Sequence, residues 1–240
     1  MRLAAKLEPN LVKLQMLLKL GWKNFEIYTN RSYITSTGMA ASLASFQPYV
    51  QYVVHAPTTY FNLSVIDFAH TIGANLVNTH KIVSNEELKF LSNYAEERGI
   101  VITVENEAFP ESHHLDKHKN PIATIKTYDP IRSAGDFRRL KEKIPNIKLC
   151  IDVEHAIIRK EYPEFIYGCC SDINHIHMCG FTGGPHHRPV YENMPLMVEI
   201  VTMLKECNYQ GFIVCEHDVE FHTTEIWKKT LEECSPLFGE

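Results

Sequence analysis

The chain has 240 residues, of which 45% are hydrophobic and 22% charged, and a formal net charge of −5. One domain spanning 1–240 is expected, because α/β barrels of about 200–250 residues routinely form a single domain. No basic cluster announces nucleic-acid binding, and no run reaches the ~18 consecutive apolar residues of a membrane helix. The N-terminal MRLAAKLEPNLVK lacks the apolar core of a signal peptide, so a soluble, cytoplasmic protein is expected. The seven cysteines are odd in number and contain no CxxC, which predicts mostly reduced, buried thiols. The adjacent Cys169 and Cys170 make a poor disulfide pair.

In chain order, MRLAAKL is predicted as a strand, followed by a helix over EPNLVKLQMLLKLG with Pro9 near its start and Gly21 at its end. NFEIYT is a strand, and a weaker helical stretch runs from Gly38 to Phe46. YVQYVVHAP, NLVNTHKIV and IVITVENE are strands, separated by helices over LSVIDFAHTIGA and NEELKFLSNYAEERG, the latter opened by Asn85 as N-cap. A long irregular loop, EAFPESHHLDKHKNPIATIKTYDPIRS, comes next. Loops of that length are usually functional or mobile. A lid over the site is the functional reading of 107–135, and solvated His113, His114 and His118 the bland one. AGDFRRLKEKIP is a helix, NIKLCIDVEHA a strand, PEFIYGCC a short helix and INHIHMCG a strand. MPLMVEIVTMLKECNY is a helix, GFIVCEHD a strand and HTTEIWKKTLEEC the closing helix. Eight strands alternating with helices predict a parallel sheet closed into a (β/α)₈ barrel. A doubly wound open sheet is the alternative.

The polar residues occupy the strand ends. VVHAP places His55 there, LVNTH His80, VITVENE Glu105, LCIDVEH Asp152 and His155, INHIHM His177, and FIVCEHD Glu216. Barrel active sites lie at that C-terminal face. One such histidine is more often structural than a ligand. Six strands ending this way put imidazoles and carboxylates in one pocket, where the carboxylates repel one another unless a cation is present. Mixed His, Asp and Glu ligands suit zinc, manganese or iron rather than calcium. The stretch HIHMCGFTGGPHHRP, residues 175 to 189, is then the seventh strand and its loop. His175 is expected on the opposite face of that strand from His177. Glu26 is either a pocket or a rim residue, and Trp22 and Phe25 are packing residues.

In order, the motifs HAP, GA–NLVNTH, ERGIVITVEN, LCIDVEHA, HIHM, HRPVYE and GF–IVCE resemble those of the xylose-isomerase-like TIM-barrel superfamily, which includes sugar-phosphate isomerases and epimerases and the endonuclease IV-like (AP endonuclease family 2) enzymes. The resemblance runs from His55 to Glu216. It implies a divalent metal held by Glu105, Asp152, His177 and Glu216, and a second position built by His55, His80 and the bridging Glu105. It assigns His155 and His187 to a third position, with His187 preferred to His186 because HRPVYE aligns without a gap. Three departures stand out: Pro185 and Gly180 where the family usually has Asp, and Tyr191–Glu192–Asn193 for its Gly-Glu-Gly loop.

The resemblance implies one to three zinc, manganese or iron ions. The leading function is isomerisation or epimerisation of a sugar or sugar phosphate, with Glu105 and Glu216 as catalytic bases, His155 fixing or protonating a substrate oxygen, and Arg188 and Tyr60 binding substrate. Such isomerases often form homo-oligomers. The alternative is a multinuclear zinc phosphodiesterase acting on abasic DNA, with Tyr60 and Phe61 probing the duplex. A metal-binding barrel without activity and an iron redox enzyme are the remaining readings. His70, His217 and His222 carry no assigned role.

Overall fold

The computed structural model describes residues 1–107, 112–115, 121–125, 129–183 and 187–238, with the backbone alone at 112–115 and 121–125. Eight parallel strands close into a barrel. They are β1 (Arg2–Leu7), β2 (Asn24–Tyr28), β3 (Gln51–His55), β4 (Leu76–Thr79), β5 (Val101–Glu105), β8 (Lys148–Asp152), β9 (Ile173–Met178) and β10 (Phe212–Cys215), in that order around the ring. Between β5 and β8, a small antiparallel hairpin of β6 (Ser112–Leu115) and β7 (Pro121–Ile125) interrupts the stretch expected to be irregular. His118, Pro185 and His186 lie outside the described residues.

The helices cover the outside of the ring: α1 (Leu11–Leu20), the short α2 (Arg31–Ile34), α3 (Thr37–Ala44), α4 (Leu63–Thr71), α5 (Asn85–Glu96), α6 (Ala134–Lys143), α7 (Val153–Ile158), α8 (Tyr162–Gly168), α9 (Met194–Glu206) and α10 (Thr224–Cys234). Local chemistry sets their ends. The Asn10 side chain accepts from the amides of Val12 and Lys13, and Gly21 ends α1 with φ of 104°, its N–H bonded to Leu17 and Leu18. That left-handed angle is one glycine adopts without steric cost. Ser84, rather than Asn85, caps α5, its side chain accepting from the Glu87 amide. The strand expected to run through Glu154 and His155 stops at Asp152, because the Asp152 carboxylate accepts the His155 N–H and starts α7. Cys170 and Cys207, 37 residues apart at the ends of α8 and α9, form a disulfide. That pairing departs from the expected free thiols, and sequence spacing gave no sign of it because β9, a loop and α9 intervene. The other five cysteines are free and buried, as expected. None of the described helices is long and apolar enough to cross a membrane.

Most of the apolar core lies between the strands and the helices. A second, small cluster of Ala4, Val53, Leu76, Phe212 and Val214 lines the inside of the barrel. Strand side chains alternate between faces, so two residues farther along the same strands point to the same interior. Those positions are Lys6, His55, Asn78 and Glu216. The apolar cluster is thus the floor, and everything above it is polar.

Candidate metal centre

The strand registers place the interior residues side by side. Lys6 pairs with Glu26, Tyr28 with His55, His55 with Asn78, Asn78 with Thr103, Glu105 with Cys150, and Asp152 with His177. Cys150 in turn pairs with His175. His175 therefore faces the interior below His177, and the expectation that it points away is overturned. Residues two apart in a strand share a face.

Glu105, Asp152 and His177 are almost wholly buried. The Glu105 Oε2 accepts from Asn78 Nδ2 at 2.7 Å, while Asn78 Oδ1 accepts from the Thr103 hydroxyl at 2.9 Å. His55 Nε2 lies 3.3 Å from that same Glu105 oxygen. His177 Nδ1 lies 2.8 Å from Glu216 Oε2 and 3.4 Å from Glu105 Oε2. Neither His177 Nδ1 nor Glu216 Oε2 has a hydrogen-bond partner. The two atoms face each other as a close ion pair, and Glu216 is among the carboxylates that raise His177 well above its ordinary value.

Each histidine at this site is fastened through its other ring nitrogen. His177 Nε2 is 3.0 Å from Glu26 Oε2, His80 Nδ1 is 2.8 Å from Glu107 Oε1, His55 Nδ1 is 2.7 Å from the Ala56 carbonyl, and His155 Nδ1 is 2.8 Å from the Asn106 carbonyl. Carboxylate and carbonyl partners of this kind fix the tautomer and aim the remaining nitrogen, the usual support of metal-ligating imidazoles. Ligand atoms of His55, His80 and Glu105 come within 4.8 Å of one another, as do those of Glu105, Asp152 and His155. Glu105 and Glu216 both approach His177 Nδ1, and Glu105 is shared by the His55–His80 and Asp152–His155 groups, a mixture of carboxylate and imidazole donors whose chemistry fits a divalent cation.

The electrostatics support the same fit. Burial and the neighbouring Glu216 and Glu105 push the Asp152 carboxyl above its ordinary value. Glu105 and Glu216 would also rise through burial, but His80 and His177 hold the first, and His177 and Lys6 the second, well below the usual carboxylate range. Burial opposes a charge on His155 and His80, yet the surrounding carboxylates push each up to about 9. Without a cation, the carboxylates favour protons on His80, His155 and His177, whereas burial lowers His55.

Several contributors escaped the sequence reading. Lys6 Nζ lies 2.6 Å from Glu216 Oε1 and 3.2 Å from Glu26 Oε1. Of the two readings of Glu26, pocket or rim, the pocket holds: it has 0% exposure, and its Oε2 also lies 2.5 Å from His175 Nε2. Asn106 ties two strand ends together, bonding the Asp152 backbone N–H and carbonyl. The charged Lys6 inside an apolar strand, and Glu107 two residues after Glu105, were the available signals.

Other expected site residues stand farther out. The Tyr60 hydroxyl is bonded to Asn62 and Ser64 at the start of α4. Arg188 Nε is 2.5 Å from Glu192 Oε2. His187 is grouped with Glu154 and Cys179. Gly180 stands where a side chain has no room, since a Cβ would collide with the Pro189 carbonyl oxygen. His217 stacks on Trp227 with ring centroids 4.7 Å apart, and its Nε2 accepts the Val190 N–H. Trp22 packs edge-on against Trp227.

Solved structures with this fold include a xylose isomerase domain protein from Planctomyces limnophilus, with TM-score 0.71 and 14% identity over 100% of this chain and 95% of that one. A sugar phosphate isomerase/epimerase from Parabacteroides distasonis matches with TM-score 0.60 and 14% identity, covering 99% and 98%. A Thermus thermophilus protein soaked with ZnCl2 matches with TM-score 0.63 and 15% identity, covering 100% and 98%. No curated protein matches. The model of the xylose isomerase-like TIM barrel family matches residues 61–235, a span that includes five of the eight strands and His80, Glu105, Asp152, His177 and Glu216. The chain belongs to the xylose isomerase-like TIM barrel family.

Proposed function

We propose that this chain is a divalent-metal-dependent isomerase or epimerase of a sugar or sugar phosphate. The observation that carries the reading is the pair of glutamates, buried Glu105 and half-buried Glu216, converging on His177 Nδ1 at 3.4 and 2.8 Å. Glu105, Asp152, His177 and Glu216 would hold the metal. When bound, the cation supplies polarisation of a carbonyl and a neighbouring hydroxyl, which acidifies the intervening C–H.

The chain's own residues move the proton. Glu105 and Glu216 are both kept ionised, so either carboxylate is available to accept the proton from carbon and to return it at the next carbon or the opposite face. Asn78 anchors Glu105 and Lys6 anchors Glu216, which limits the travel of each base. His155 has its Nδ1 on the Asn106 carbonyl and is protonated at neutral pH, so Nε2 can donate to a substrate oxygen. Arg188 and Tyr60 would bind the distal substrate groups, Arg188 exchanging Glu192 for a phosphate or hydroxyl.

The test is exchange of a substrate C–H with solvent deuterium across a panel of ketoses and their phosphates, using metal-loaded protein. Glu105→Gln and Glu216→Gln should each lower the exchange rate by about 10²–10⁴, the usual contribution of a positioned base, and should weaken metal binding. Full activity and full metal content in either variant would remove that residue from the site.

A second reading, a multinuclear phosphodiesterase, is supported by the grouping of His55, His80 and Glu105 as a second cation position. Nicking of abasic DNA without C–H exchange on any sugar would favour it.

A further inference from the structure

Asp152 and His177 sit opposite each other on β8 and β9. Two residues farther on, the chains are still together, and Glu154 meets Cys179: the thiol donates to Glu154 Oε2 at 2.9 Å. The loop beyond returns His187 to the same place, where its backbone N–H donates to that same carboxylate oxygen at 3.0 Å. Glu154 and Cys179 are 1% and 3% exposed, and His187 is half-buried. One ligand atom from each, a thiol sulfur, a carboxylate oxygen and an imidazole nitrogen, all lie within 4.8 Å of one another.

His187 and Arg188 are tied by their backbones to the neighbouring strand ends. The Gly180 N–H donates to the Arg188 carbonyl, and the Asp218 N–H donates to the His187 carbonyl. His187 itself adopts a left-handed φ of 49°, which costs a non-glycine residue energy. The absence of a side chain at Gly180 lets the returning strand of this loop pack directly over the end of β9.

We propose that Glu154, Cys179 and His187 form a separate metal site for a thiophilic divalent cation such as zinc, beside the glutamate-rich centre and sharing no ligand with it. Sulfur, nitrogen and oxygen donors in threes suit tetrahedral zinc with a fourth position left for water or substrate. On binding, the metal replaces the proton on Cys179 Sγ and that proton leaves to solvent. Glu154 then exchanges an S–H···O contact for a metal bond. The site fastens the loop carrying Arg188 to α7 and β9. It does not depend on which reaction the main centre performs.

The test is titration of the chelator-stripped full-length protein with cobalt(II) as the probe. A thiolate bonded to cobalt produces a near-ultraviolet sulfur-to-metal charge-transfer absorption, which carboxylate and imidazole ligands lack. Cys150 needs a control, because its sulfur is grouped with His175 and His177 inside the barrel. The absorption should appear in the wild type and in Cys150→Ser, and be lost in Cys179→Ser. His187→Ala alters a half-buried loop residue and leaves the core intact, so it serves if the Cys179 variant does not fold; it should weaken the cobalt affinity read from this absorption at least tenfold. An absorption missing from the wild type, surviving Cys179→Ser, or unchanged in His187→Ala overturns the proposal.

Discussion

Lys6 is the cation already built into the barrel, and removing its charge gives a sharp test of the electrostatics. Its ammonium lies 2.6 Å from Glu216 and 3.2 Å from Glu26, and its side chain is 11% exposed. In Lys6→Met the stem still fills the space, but both carboxylates lose their nearest positive partner. Removing one member of a buried ion pair costs about 3–5 kcal/mol, because the remaining charge is uncompensated. At roughly 2–4 °C per kcal/mol for a chain of this size, the metal-free variant should melt about 6–20 °C below the wild type. The pH dependence has a definite sign. Glu26 would rise through burial, but His177, Lys6 and His175 hold it well below its ordinary value. A carboxylate depressed in the folded state contributes stability that is present above its unfolded pKa and lost as pH falls through its folded value. The deficit of Lys6→Met is therefore greatest at neutral pH and shrinks on acidification below the unfolded value. Added manganese or zinc should narrow it as well, since a cation at Glu216 supplies the missing charge. Differential scanning calorimetry in chelator, then with metal, measures both effects. A metal-free deficit below about 2 °C, less than one kcal/mol, or one that grows in acid, would refute the charge balance described here.

Metal binding should release protons. Without metal, His80 and His155 are raised to about 9, so their contribution to stability is complete below the unfolded value and is lost as pH rises through about 9. An ion engaging His80 Nε2 must displace its proton, so affinity should climb with pH up to that range; calorimetry in buffers of different ionisation enthalpy counts the release, and none at pH 7 would exclude His80 as a ligand. His217 behaves in the opposite sense: burial, then His222 and His187, lower it to about 3. Its contribution is complete above its unfolded value of about 6.5 and disappears as pH falls toward 3, so His217→Gln should flatten the acid limb of a Tm–pH curve, and an unchanged slope would contradict its burial as the neutral form.

The ring of strands and the candidate ligands were legible for one physical reason. In a barrel, each buried apolar run stops where the strand reaches the mouth, so His55, His80, Glu105, Asp152, His177 and Glu216 announce themselves as the first polar residues after such a run. The end of β8 was less visible. A strand and a following helix share one apolar run there, and only the cap made by the Asp152 carboxylate decides where one becomes the other. The Cys170–Cys207 disulfide joins helix ends that only the closed ring brings together.

In the supporting layer Lys6 was missed, His175 was placed on the wrong face and Glu26 was left between pocket and rim, because the signal lies inside the strands. Lys6, Glu26 and His175 each interrupt a run that a purely apolar interior would have continued, and each lies at the parity of the ligands above it. A charged residue at such a position cannot be surface decoration, since both faces of a barrel strand are covered. It must be answered by an opposite charge at the same height on another strand. Lys6 and Glu26 answer each other in register across β1 and β2, and Glu26 answers His175 and His177 across the lumen. His177 is consequently held from below by the same carboxylate that holds His175, and its Nδ1 is left to face Glu105 and Glu216. The direction in which this imidazole points is thus fixed by residues deeper in the barrel, and a substitution at Glu26 should disturb the centre as severely as one at Glu105 or Glu216.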